Sequence, residues 1–336
     1  MNYTGINYIM KYSFALLVVV SMAASVVAQP TVDGSLDGAY GAPLAVQTVQ
    51  TEFGDNTDPT GFGGGGELNA GYATIDGGRL FVMLTGNIEG NFNKLNIFID
   101  SQAGGENVLD GSLSYDFGNT SANYGGLTFD SGFEADYHLF GRWGGGAFEF
   151  DVINRAGSTA GSELGNTGSA SSGSGTGIQS GTVLALGATA ATGADGGAFL
   201  TEDVEFGFNN TNIDGVGPGT SAADMTAAAA VTTGLEFSIA LADLGNPSPG
   251  DEIKIHAAYG NGDHNFHSNQ ILGGLAAPQG FLGGDGSGNF TGSLSGIDFD
   301  TFTGNQFFTI TVVPEPSSFA ILGLSTLCIA GIRRRS

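Results

Sequence analysis

The chain has 336 residues, with 33 Asp and Glu against nine Lys and Arg, a net charge of −24, 24 Phe, 59 Gly and one Cys. Length and aromatic content are enough for a sizeable core, and a charged share of only 12% excludes a charge-driven disordered chain. The acidic balance excludes nucleic acid as a partner, since that surface is held through clustered Lys and Arg, and the single Cys328 excludes an intrachain disulfide or a cysteine metal site.

At the N-terminus, Lys11 precedes an apolar run from Tyr12 to Val20, and Val26-Val27-Ala28 gives the small-x-small pattern read by signal peptidase. This predicts a secretory signal over residues 1–28, cut after Ala28. The run is short for a retained membrane span, and Met10 is an alternative start.

From residue 29 to 312 the chain predicts a single antiparallel β-sandwich, jelly-roll-like. RLFVMLTG, from Arg79, is a nearly continuous apolar run, as expected of a central strand. Further on, the windows alternate with period two, which sets one row of side chains on a core. Those rows are Leu95, Ile97 and Ile99; Phe148, Phe150 and Val152; Val204, Phe206 and Phe208; Leu235, Phe237, Ile239 and Leu241; Ile253, Ile255, Ala257 and Tyr259; and Phe308, Ile310 and Val312. Phe98, on the opposite face of its strand, predicts partial burial there too. Residues 156–181, nearly all Gly, Ser, Thr and Ala, read as a long loop inside the sandwich. SAADMTAAAA, from Ser221, reads as a loop leading into a strand, and ALADLG as one helical turn closed by Gly245.

Candidate chemistry is sparse. GNGDHNFHSNQ gathers Asp263, His264 and His267, which could hold a divalent metal or act as polar turn residues. In FGRWGGG, Trp143 beside Arg142, with Tyr124 and Tyr137 as companions, would form a saccharide platform if exposed, or else these aromatics pack in the core or in turns. DGSLDG, GDNTDPTG and DSQAGGENVLDG set carboxylates and amides near glycines, so a structural calcium stays open, although none fits an EF-hand; no other cofactor is expected. There is no G-x-S-x-G elbow, and a glycosidase would need two carboxylates across a cleft, which sequence cannot pair.

The C-terminal segment 313–336 carries Pro314-Glu315-Pro316, an uncharged apolar run from Phe319 to Ile332, and Arg333, Arg334 and Arg335. At ~1.5 Å per residue the run is marginal for a bilayer, which suits a transient anchor, and the arginines orient it tail-inside. Motif, apolar helix and basic end in this order resemble the PEP-CTERM sorting signal. That resemblance implies processing by exosortase, a membrane protease-transpeptidase, and a body delivered to the cell exterior.

TVDGSLDGAYGAPLAVQTVQTEFGD, GRLFVMLTGNI with NKLNIFIDS, and GLEFSIALADLGNPSPGDEIKIHAAYG together resemble family 9 carbohydrate-binding-module-like, or DOMON-like, sandwiches. The likeness implies the sandwich fold and makes extracellular polysaccharide a candidate partner. The function expected is therefore that of a non-enzymatic secreted component of the cell surface or extracellular matrix. The alternatives are a carbohydrate-binding module and a polysaccharide-acting hydrolase.

Overall fold

The computed structural model describes residues 28–54, 65–113, 115–145, 147–155, 168–172, 178–184 and 199–314. The expected signal peptide up to residue 27, the GDNTDPTG loop from Asp55 and the tail after Pro314 lie outside them.

Among the described residues thirteen strands form two antiparallel sheets with little helix. The first has the order β1 (Ala45–Val46), β2 (Glu67–Asp76), β3 (Arg79–Asn87), β10 (Gly234–Ala240), β9 (Val204–Asn209), β8 (Ile178–Leu184). The second has the order β12 (His267–Leu272), β11 (Glu252–Gly260), β4 (Asn91–Asp100), β5 (Tyr137–Gly144), β6 (Ala147–Asn154), β7 (Gly168–Ser172). The last strand, β13 (Phe308–Thr311), shares an edge of β11 with β12, pairing along Glu252–Ile255 while β12 takes Ala257–Gly260.

Between the sheets lies one apolar core, and the alternating rows read from the sequence converge on it. Leu95, Ile97, Ile99, Phe148, Phe150, Val152, Phe206, Phe208, Phe237, Ile239, Ile253 and Ile255 are all members, and Phe148 stacks on Phe208 at 4.1 Å between ring centroids. Burial of these aliphatic and aromatic side chains stabilises the fold at about 25 cal/mol per Å2 of apolar surface.

Further segments of the chain cover the outer faces of the central strands of both sheets. On the first, Phe81 and Met83 of β3 and Tyr72 of β2 are covered by Val32 and Tyr40 of the N-terminal segment, so the continuous apolar run of β3 is buried twice over. On the second, Phe98, Ala258 and Ile271 lie under Leu109, Tyr124, Leu127, Phe129, Phe133, Leu282 and Phe299, drawn from residues 101–135 and 273–307. This third layer has almost no regular structure. Side chains replace the missing ladder: Asn107 Nδ2 donates to the carbonyls of Phe129, Asp130 and Phe133, and Asp130 accepts from the Gln306 amide at 2.7 Å.

Two expectations need correction. The Gly/Ser run 156–181 is not all loop, because Gly168–Ser172 pairs with β6 and Ile178–Leu184 begins within it and pairs with β9. Ladder hydrogen bonds come from backbone, so a run poor in large side chains still extends a sheet edge. Within SAADMTAAAA, Met225–Ala230 is an α-helix, α1. Asp224 caps it, its Oδ1 accepting from the amides of Thr226 at 2.9 Å and Ala227 at 3.1 Å, and alanine propensity with this cap outweighs the lack of an apolar face. The turn Leu241–Leu244 closes on Gly245 at φ 80°, as the sequence indicated.

Both described chain ends lie at one end of the sandwich. Ala28 and Pro30 border Thr74–Asp76, next to the β2–β3 turn, and Leu241 N donates to Gly78 O there. Val312 exchanges hydrogen bonds with Gly250 and Asp251 just before β11 begins.

The N-terminal segment docks through a buried carboxylate. Glu236 on β10 is fully buried; its Oε2 accepts from the amides of Asp33 at 2.9 Å and Gly34 at 3.0 Å, and its Oε1 from Tyr40 Oη at 2.7 Å. Gly34 must be glycine, with φ at 79° and a hypothetical Cβ only 2.6 Å from Asn209 N. Burial raises the Glu236 carboxyl to about 7, so the folded chain holds a proton that the unfolded chain releases, and this contribution to stability declines as pH rises from 4.5 to 7. In Glu236→Gln the amide oxygen can take both backbone donors and the NH2 can donate to Tyr40 Oη. Relative to wild type this variant is expected to gain about 2–3 kcal/mol on going from pH 5 to pH 8, measured by denaturant unfolding across that range.

Candidate functional site

At the end of the sandwich opposite the chain ends, a cavity of about 670 Å3 opens. Asn91, Phe92, Asn93 and Lys94 of β4, Arg142 of β5, Glu149 of β6, Asp116, Thr120, and Asn261, Gly262 and Asp263 after β11 line it.

Strand register builds its floor. With Leu95 and Ile97 in the core, Lys94 points outward; with Leu139 and Trp143 in the core, so does Arg142. Lys94 pairs directly with Arg142, and Arg142 with Glu149. Two like charges opposed on neighbouring strands repel, and both are buried, so a counter-charge is required.

Asp116 supplies it from the covering layer. Its carboxylate pairs with Lys94 Nζ, accepts from Thr120 Oγ1 at 3.1 Å, sits 2.9 Å from His264 Nε2, and lies 3.6 Å from Arg142 Nη1. Arg142 also donates from Nη1 to Asp151 Oδ2 at 3.0 Å and from Nε to Glu149 Oε2 at 2.5 Å. Burial opposes ionisation of Asp116, yet the hydrogen bond with His264 and the ammonium of Lys94 hold it well below the usual carboxylate range. Burial lowers Lys94, which Asp116 offsets in part. Burial, then Lys94, pushes His264 down to about 4, so at neutral pH it is uncharged and donates Nε2–H to Asp116.

Beside this cluster, Arg155 donates to Tyr115 Oη at 2.8 Å, Tyr115 Oη lies 2.8 Å from His138 Nδ1, and His138 Nε2 lies 3.2 Å from Asn96 Oδ1. The outer faces of β4 and β5 thus carry a continuous buried polar stripe.

Backbone strain borders the mouth. Three non-glycine residues among those described have positive φ, and two flank this cavity: Phe92 at 66° and His264 at 52°. Phe92 is 48% exposed, its ring lying over Gly144, where a Cβ would come within 2.5 Å of the ring. Residues held in this region cost of order 1–3 kcal/mol each and concentrate at functional sites.

The structure divides the residues singled out by sequence. Arg142 and Asp263 line the cavity, and His264 braces its floor from below, with Tyr124 buried against it at 4.8 Å between centroids. Trp143 is a correction: only 2% exposed, it points into the inter-sheet core against Phe208, because β5 alternation sends it opposite to Arg142, so it offers no platform. Tyr137 also faces the core, near the opposite end of the sandwich, its hydroxyl accepting from Gln102 Nε2. His267 is buried on β12 beside His256 and Phe299 and does not meet His264. Among the described residues no group of three or more His, Cys, Asp or Glu could hold a metal ion. In the loops weighed for calcium, Asp33, Asp37 and Asp110 cap turns by accepting from nearby amides, and Asp100 pairs with Lys254.

Sequence reading missed Lys94, Asp116, Thr120, Glu149, Phe92 and the mouth asparagines. Lys94 could have been found, since it is one of few body cations and stands beside an apolar row.

A profile of the PEP-CTERM protein-sorting motif matches residues 312–335. The motif implies recognition by an exosortase and secretion to the cell envelope. No curated protein and no solved structure matches the chain. Pro314 is exposed, whereas Glu315, Pro316, Arg333, Arg334, Arg335 and the apolar run between them lie outside the described residues. Among the described residues no helix is long and apolar enough to cross a membrane.

Asp116→Asn leaves Lys94 and Arg142 without their shared counter-charge and is expected to cost about 3–5 kcal/mol in denaturant unfolding. Trp143→Ala is expected to cost a similar ~3–5 kcal/mol by opening a core cavity, whereas Trp143→Phe should retain most of that stability.

Proposed function

We propose that the protein is a non-enzymatic component of the cell exterior. Exosortase processes its tail, the segment after Pro314 acts as a transient membrane anchor, and the sandwich then serves at the cell surface or in the extracellular polymer matrix. The observation that carries this reading is the PEP-CTERM motif over residues 312–335, which begins where the folded body ends in the exposed Val313 and Pro314. A body as acidic as this one stays soluble and avoids nucleic acid and anionic lipid.

A second reading, that the body binds carbohydrate, is favoured by the cavity between Phe92, Arg142 and Asp263. Its volume of about 670 Å3 suits a small ligand, and its lining joins a half-exposed ring to convergent polar groups. The likeness to family 9 carbohydrate-binding-module-like sandwiches agrees with it, although that family's ligand-sandwiching aromatics find no counterpart in the buried Trp143. A hydrolase reading is weaker. A glycosidase acid must hold a proton near neutral pH, and Asp116 is fixed as a carboxylate while Glu149 is tied to Arg142.

Fractionation of the producing cells tests the main reading. The protein should be recovered from the medium or outer surface with a mass lacking the C-terminal tail, and replacing Pro314-Glu315-Pro316 by alanines should leave full-length chain in the membrane fraction. Intact protein, arginines included, in the cytoplasm would reverse the assignment.

A further inference from the structure

The groups at the cavity mouth specify the ligand's charge. Arg142 commits Nε to Glu149 and Nη1 to Asp151, while its Nη2 makes no hydrogen bond among the described residues. Beside it, Glu149 keeps a partly exposed side chain and Asp263 is exposed at the rim. A guanidinium edge next to a carboxylate presents a donor and an acceptor a short distance apart. That pairing matches adjacent hydroxyls, one oxygen accepting from Nη2–H and one O–H donating to the carboxylate. Phe92 adds an apolar wall for the C–H face of a sugar ring.

The charge count then separates sugars from one another. Lys94 and Arg142 are the cations at the cavity, and both are already paired with carboxylates. Around them stand Asp116, Glu149, Asp151, Asp263, and Glu89, which accepts from Asn91 and Asn93 at the mouth. Two positive charges against five negative ones make a site that repels a uronate, sulfate or phosphate. A cationic sugar would bring its ammonium against the open edge of Arg142. Neither cation is free to swing out, since each is almost wholly buried beneath Asp116 and Asp151.

We infer that the cavity bordered by Phe92, Arg142, Glu149 and Asp263 binds an uncharged, hydroxyl-rich saccharide and discriminates against acidic ones. This inference rests on the carbohydrate-binding reading and narrows it.

The test is calorimetric titration of the protein recovered from the cell exterior with three oligosaccharide series: neutral gluco- and manno-oligosaccharides, oligogalacturonates, and glucosamine oligomers. Each is run at about 0.05 M and about 0.5 M salt, where screening differs strongly. The neutral series should bind, with affinity changing less than about twofold with salt, and Phe92→Ala and Asp263→Ala should each weaken it roughly tenfold while leaving the thermal midpoint close to wild type. Both side chains are exposed at the rim, so these variants keep the fold. Preferred, salt-sensitive binding of the uronate or the glucosamine series would overturn the charge inference and leave the carbohydrate reading standing. Binding of none of the three by folded protein would overturn both.

Discussion

Lys94 and Arg142 stand opposite each other on neighbouring central strands, both almost wholly buried at the floor of the cavity. Two buried cations in register are untenable without a shared anion, and Asp116 fills that role from an irregular segment more than a dozen residues beyond β4. The covering layer is therefore held by charge as well as by the Phe98, Phe129 and Phe133 cluster. Its ion pairs also shape the cavity, because the carboxylates that neutralise the floor set what the mouth can accept.

That arrangement follows from a wider constraint. The central strands of the second sheet are buried on both faces, so polar side chains on their outer face need partners within the protein. Those needs account for the Arg155–Tyr115–His138–Asn96 chain and for the burial of all four histidines. Burial holds each imidazole below its ordinary range, so their contribution to stability is lost as pH falls below about 6.5. Asp130 and Asp136, raised by burial to about 6, and Glu236, raised to about 7, act in the opposite sense. The two sets of slopes offset one another through mildly acidic conditions, which flattens the pH response expected of either alone.

The strands were legible because their side chains alternate, and the inter-sheet core needs only that periodicity. Phe98, apolar on the supposedly wet face of β4, was a true sign of the second buried face. The covering layer was not legible, since its backbone is fixed by contacts such as Asn107 to three carbonyls, and these have no local period. The same reason hid the cavity: Arg142 and Asp263 were within reach of sequence reasoning, but the Asp116 link between Lys94, Arg142 and His264 joins positions far apart in the chain. Trp143 stayed open between a platform and the core because alternation was not carried through FGRWGGG, where Arg142 and Trp143 must face opposite ways.

The placement of the chain ends has a geometric outcome. Ala28 and Val312 lie on the side where β11 starts, whereas the mouth framed by Phe92 and Asp263 lies where β11 finishes. From the first to the last of the nine residues of β11, eight steps at ~3.3 Å put roughly 26 Å between the two. The mouth therefore opens on the far side of the body from Pro314, where the described chain reaches the sorting motif.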